Sequence, residues 1–238
     1  MKAMMYKWML GFLTLLLTMS AQASISFNGS PWYDYRDESL KVDGNGTLLD
    51  PIVITTPEQL AQLAWLVNEK NNTFEGKVIV LAADINLTKE DQGKRVVWLP
   101  IGFKNSFKGV FLGVDTREGS DRKRHSISGM YVDATTNAPS DMGYFGLFGR
   151  CDGFVGHLQL LDASVKAVAT GGVWSKGLIA AGLLCGINQK DDRMYVKETN
   201  NSDTFYMEPG FTHVDVKGTL DIDGGESTDI GGVCGNNR

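Results

Sequence analysis

The chain has 238 residues, of which 42% are hydrophobic and 21% charged, and 28 acidic against 23 basic residues give a formal net charge of −5. An acidic chain with scattered Lys and Arg excludes the phosphate-tracking surface that nucleic-acid binding needs. Only three cysteines are present, Cys151, Cys185 and Cys234, and an odd, small number excludes a dense disulfide framework.

Residues 1–23 read as a signal peptide. Lys2 and Lys7 form a basic start, Met9 to Met19 is apolar but too short for a stable membrane span, and Ala21-Gln22-Ala23 is an A-x-A cleavage site. Cleavage leaves a mature chain starting at Ser24, more acidic still, with roughly 215 residues and room for a sizeable core. No later segment is long and apolar enough to cross a membrane. Residues 24–50 are turn-rich and aromatic, running through Trp32, Tyr33 and Tyr35 to Asp43-Gly44-Asn45-Gly46-Thr47. Oxygen-bearing residues alternate there as in a calcium loop, but the downstream bidentate Glu is missing and the dipeptides are turn formers in their own right.

Residues 51–75 hold a strand and a helix. Ile52-Val53-Ile54 is β-branched throughout. Thr56-Pro57-Glu58-Gln59 then supplies a hydroxyl N-cap, a proline at the first helical position and a Gln three residues after the cap. Leu60, Leu63, Ala64 and Val67 recur at helical spacing, so the pattern predicts an amphipathic helix from 57 to about 69, ended by Asn71-Asn72. From residue 76 onward the period shortens. Segments 76–81, 83–87, 96–102, 107–113 and 126–132 are short β-branched or aromatic runs between Gly, Asn and Asp turns.

A repeat follows. Phe145-Gly146-Leu147-Phe148-Gly149 returns as Gly182-Leu183-Leu184-Cys185-Gly186 and as Gly231-Gly232-Val233-Cys234-Gly235. His157-Leu158-Gln159-Leu160 follows the first copy and His213-Val214-Asp215-Val216 the second. Such self-similarity predicts stacked units that bury their apolar faces against each other. Leu147, Phe148, Leu158 and Leu160 are expected to pack over Leu183, Leu184, Val214 and Val216. Residues 114–125 and 189–209 interrupt the pattern as polar insertions, a place where solenoids often carry specificity. The basic run Arg122-Lys123-Arg124-His125 follows Glu118 and Asp121 and reads as a solvated loop.

Several constellations bear on chemistry. His157 and His213 hold matching places; a metal pair or acid–base site is one reading, a ladder of turn residues the other, and no third ligand recurs in register. Cys185 and Cys234 also match, either as stacked buried thiols or, on adjacent strands, as a bridge. Asp133, Asp141, Asp152, Asp162, Asp215, Asp221 and Asp223 would matter to a polysaccharide-cleaving groove only if they converge. Trp32, Tyr33, Tyr35, Trp174, Tyr195 and Tyr206 are candidates for stacking on sugars, whereas Trp65 and Trp98 read as core. The H-E-x-x-H, G-x-S-x-G and P-loop patterns are absent, so no catalytic residue, cofactor or metal ligand is assigned.

The lead-in Ile52–Ala61, Leu66-Val67-Asn68, Leu81–Leu87, Trp98–Gly102, Phe107–Phe111 and Ile127–Met130, followed by Gly146-Leu147-Phe148-Gly149 and Val155-Gly156-His157-Leu158, resembles the GLUG-motif repeat proteins of bacterial surfaces over residues 51–238. The chain departs from that pattern in the Gly113–Arg124 insertion and in histidines where asparagine usually stands. The resemblance implies a mainly β fold, a right-handed parallel β-helix over 76–238 with the helix of 51–75 capping its N-terminal end. It implies an exported protein of Bacteroidetes type, extracellular or at the cell surface with the periplasm as the alternative. The expected role is a non-catalytic, adhesin-like module for a host glycan or protein ligand. A polysaccharide-active β-helix enzyme and the accessory repeat region of a larger secreted peptidase are the competing readings. Because Gly231–Gly235 is followed by only three residues to Arg238, further repeats downstream are expected.

Overall fold

A computed structural model of the chain describes residues 30–40, 46–117, 123–135, 143–168, 178–188, 194–197, 204–207, 209–223 and 227–237. The signal peptide, Asp141, Trp174 and most of the Asp43–Thr47 turn lie outside them. Within them the fold is mainly β with one α-helix. A 3-10 turn at Trp32–Tyr35 precedes β1 (Ile52–Ile54), α1 (Pro57–Lys70), β2 (Val78–Leu81), β3 (Ile85–Asn86), β4 (Glu90–Asp91) and β5 (Lys94–Arg95). There follow β6 (Val110–Leu112), β7 (Ser126–Ser128), β8 (Tyr131–Ala134), β9 (Tyr144–Phe145) and β10 (Phe148–Cys151). Next come β11 (Phe154–Gly156), β12 (Gln159–Val168), β13 (Leu178–Gly182) and β14 (Cys185–Asn188). Last are β15 (Met194–Lys197), β16 (Thr204–Met207), β17 (Gly210–Thr212), β18 (Asp215–Asp223), β19 (Ser227–Gly231) and β20 (Cys234–Asn237).

The helix begins where its capping residues place it. The Thr56 hydroxyl accepts the Gln59 N–H at 3.2 Å, and the Gln59 side chain reaches back to the Thr55 N–H at 2.8 Å. Asn71 closes it in the left-handed region at φ 54°, donating its N–H to Leu66 O. Leu60, Leu63, Ala64 and Val67 are fully buried, in one cluster with Ile52, Ile54, Trp98 and Ile101. Each such leucine contributes roughly 1.5–3 kcal/mol by leaving water.

Among the described residues, four sheets are parallel throughout. One runs β1-β2-β6-β11-β17, a second β3-β7-β12-β18 with β8 also on β12, a third β9-β13-β19 and a fourth β10-β14-β20. From β6 to β10, from β11 to β14 and from β17 to β20, the chain visits these sheets in the same order three times. Two antiparallel hairpins stand apart: β4–β5, and β15–β16 inside the 189–209 insertion.

The expected stacking is parallel, with one correction of register. Leu160 pairs with Val216 as expected, but Phe148 pairs with Cys185 rather than Leu184. The glycine-bracketed steps explain why these segments lie so close. A Cβ on Gly182 would sit 2.7 Å from Val233 O, and one on Gly186 2.7 Å from Phe145 N, so no side chain fits between successive units there. Inside, Phe148 packs on Phe107 and Phe111 with ring centroids 5.3 and 5.6 Å away, and the buried Trp98 indole donates to Leu147 O at 3.1 Å.

Candidate functional site

The most feature-rich surface is the outer face of β7, β8, β12 and β18. Alternation along β12 sends Leu160, Ala163, Val165 and Ala167 into the core and leaves Gln159, Ser164 and Lys166 partly exposed. Between Leu160 and Ala163 the register shifts, and Asp162 takes φ 51° at the irregularity. On β18, Val216, Leu220 and Ile222 pack against the core while Asp215, Lys217, Thr219 and Asp221 face solvent. Because the ladders are in register, like positions align in columns about 4.8 Å apart per strand. The columns are Ser126–Gln159–Asp215, Tyr131–Ser164–Thr219 and Asp133–Lys166–Asp221.

The last column answers whether the acidic residues converge: two of them do, on Lys166. Asp133 is buried and accepts from the Tyr131 hydroxyl at 2.7 Å and from the Thr135 N–H and hydroxyl at 3.1 and 2.5 Å. Burial alone would raise its pKa, but these hydrogen bonds and the Lys166 ammonium outweigh burial and hold the carboxyl below its ordinary value. Tyr131 is pushed up to about 12, first by burial and then by its bond to Asp133, with the Arg95 guanidinium 4.5 Å over its ring. Asp133 is thus an ionised, fully bonded carboxylate, suited to hold Tyr131 and Thr135 in place and not to donate a proton near neutrality.

At the other end of the face is a histidine corner. His157 and His213 adopt left-handed backbone, φ 54° and 47°, just before β12 and β18. Their rings stack with centroids 4.9 Å apart and planes within 6°. Thr212 Oγ1 lies 3.0 Å from His213 Nδ1, and Arg124 donates to His213 O at 3.3 Å and to the Asp215 carboxylate. Nearby, Asp84 accepts from Lys123 Nζ and the Ser126 N–H, both at 2.9 Å, and Lys123 foremost draws its pKa down to about 2. His125 is buried beside it, Nδ1 3.4 Å from Asp84. Lys123 and Arg124 are therefore spent on ion pairs within the chain. No group of three or more His, Cys, Asp or Glu capable of holding a metal occurs among the described residues.

The other candidates separate. Trp32 and Tyr33 are buried, contrary to a sugar-facing role, because the 3-10 turn folds them against α1 and the core. Tyr35 is half-buried with the Lys89 ammonium 4.3 Å over its ring, and Trp65 is half-buried between Arg36 and Lys70 at 4.6 and 4.9 Å. Trp98 is core as expected. Tyr195 and Tyr206 are register partners across β15–β16. Among sequence signals, the Asp133–Lys166–Asp221 column was hidden by insertions that break the residue count between units. Cys151, Cys185 and Cys234 are all free thiols, the first two buried and the third half-buried.

No helix among the described residues is long and apolar enough to cross a membrane. Compared with known proteins, the chain matches no family model, no curated protein and no solved structure.

Proposed function

We propose that the chain is a right-handed parallel β-helix of the GLUG-repeat kind, exported to the bacterial surface or medium, where it acts as a non-catalytic module binding a host glycan or protein. The observation that carries the reading is the threefold return through four parallel sheets with a glycine-bracketed step closing each unit. Parallel strands joined by crossovers of this kind are right-handed in nearly all proteins. In this reading α1 covers the first unit, and the polar columns of β8, β12 and β18 are the binding face. Their carboxylates, hydroxyls and Lys166 form a fixed grid of donors and acceptors, which serves recognition of a polyhydroxylated or mixed-charge ligand.

The test uses the mature protein on an array of mucin O-glycans and plant and bacterial polysaccharides, in parallel with Lys166→Glu and Thr219→Ala. Binding lost in the variants with unchanged thermal stability supports the face as the site. Release of new reducing ends or unsaturated sugars would replace the binding module with an enzyme. N-terminal sequencing of surface and medium fractions is expected to read Ser24-Ile25-Ser26, and intact Met1 recovered from the cytosol would remove the export reading.

A further inference from the structure

We propose that Cys185 and Cys234 are a modification site: they close into a disulfide that fastens β20 to β14 when the chain meets a small-molecule or protein disulfide. The two are register partners on adjacent parallel strands. Neighbouring strands lie about 4.7–4.9 Å apart, inside the Cα separation that a disulfide spans. Both thiols sit in equivalent settings, each donating to the carbonyl two residues on, Ile187 O and Asn236 O, at 3.0 Å. Cys151 is a third thiol against the same cluster, but its register partner is Asn188, three residues beyond Cys185. The inference does not depend on what the polar sheet face binds.

The geometry also sets the order of events. Cys234 is half-buried and Cys185 is wholly enclosed, so the incoming disulfide meets Cys234 first. The neighbouring Cys185 side chain lowers the Cys234 thiol's pKa and favours its thiolate, while burial keeps the proton on Cys185. The Cys234 thiolate attacks one sulfur of the oxidant, forming a mixed disulfide and releasing one thiolate. Cys185 then loses its proton to that thiolate and attacks the Cys234 sulfur, releasing the second half of the oxidant as a thiolate, which takes up from solvent the proton that Cys234 gave up. Two protein thiols are oxidised, one external disulfide is reduced to two thiols, and Cys151 stays reduced.

Trypsin places the three cysteines on separate peptides, 151–166, 177–190 and 218–238. The full chain is reduced, freed of reductant, incubated with oxidised glutathione, trapped with iodoacetamide and digested without reduction. The expected result is a covalent pair of 177–190 with 218–238, lighter by two hydrogens than their sum, with 151–166 carrying the alkyl group. Cys151→Ser retains the link, and Cys185→Ser halts at a glutathione adduct on Cys234. A link from Cys151 to either partner, a Cys234–Cys234 dimer, or a glutathione adduct that persists on wild-type Cys234 would overturn the proposal. Because the wild-type digest alone decides it, a variant that fails to fold leaves the conclusion standing or falling on that digest.

Discussion

Asn68 is a residue whose loss should cost much for the few atoms removed. It is 3% exposed at the end of α1. Its side-chain amide donates to Tyr33 OH and to Pro100 O at 2.9 Å, and its carbonyl accepts the Gly102 N–H at 3.0 Å and the Lys104 N–H at 3.4 Å. Tyr33 in turn donates to Ala64 O at 3.4 Å. One amide thus joins the 3-10 turn, the helix and the segment leading to β6. Asn68→Ala strands the Pro100 carbonyl and the Gly102 N–H in the interior. At about 1–3 kcal/mol for each of these two orphaned groups, and little for the long Lys104 contact, the expected loss is about 2–6 kcal/mol. Against a total stability of about 5–15 kcal/mol this is a large fraction. Urea titration followed by tryptophan fluorescence reports it, since Trp98 lies in the same core cluster. The midpoint should fall with the slope unchanged. Tyr33→Phe, combined with Asn68→Ala in a double-mutant cycle, should be clearly non-additive because the two share a bond. A loss below about 1 kcal/mol, or strict additivity, would refute the reasoning.

Four further outcomes are expected. Phe148→Ala removes a fully buried ring packed on Phe107 and Phe111 and should cost about 3–5 kcal/mol in the same titration. Asp84 has a folded pKa of about 2, below its ordinary 3.8, so its stabilising contribution is present above the ordinary value and lost as pH falls through about 2. Because Asp84 is half-exposed the effect is modest; an acid-denaturation curve that is the same for Asp84→Asn as for wild type would count against it. Tyr131, raised to about 12, should ionise well above the ordinary tyrosine value in an ultraviolet titration, with its contribution to stability lost as pH rises from 10 towards 12. At the histidine corner, His157→Asn should be nearly neutral in thermal melting and His157→Val clearly destabilising, because a β-branched residue resists φ 54°; dialysed protein should carry no one-to-one zinc.

Local chemistry carried the helix: Thr56, Pro57 and Gln59 act within one turn, and nothing distant was needed to place it. Matching positions across units were also legible, so that Cys185 meets Cys234 and His157 meets His213. Register inside the glycine steps was less so. Gly146 and Gly182 tolerate close approach without marking which neighbour stacks on which, and Phe148 settled over Cys185. Trp32 was misplaced because aromatic residues near glycine, serine and proline look the same on a surface as in a turn folded inward. The β15–β16 hairpin escaped notice because its polar, charged flanks mask a short alternation. The binding face was legible only in part: Asp133 and Asp221 were visible as acids, but their shared neighbour Lys166 depends on ladders spanning more than 80 residues of chain.

The order of strands also dictates how the molecule would give way under load. Among the described residues, β17, β18, β19 and β20 are each the outermost strand of their sheet, and each is paired with one neighbour. Tension drawn through β20 therefore meets the bonds of that unit first, and peels β20 and then β19 from β14 and β13 before β10 or β9 yields. Rupture should proceed as a series of separate yields, one unit after another, instead of a single collapse. A protein built this way would lengthen stepwise under shear while its first units keep their shape.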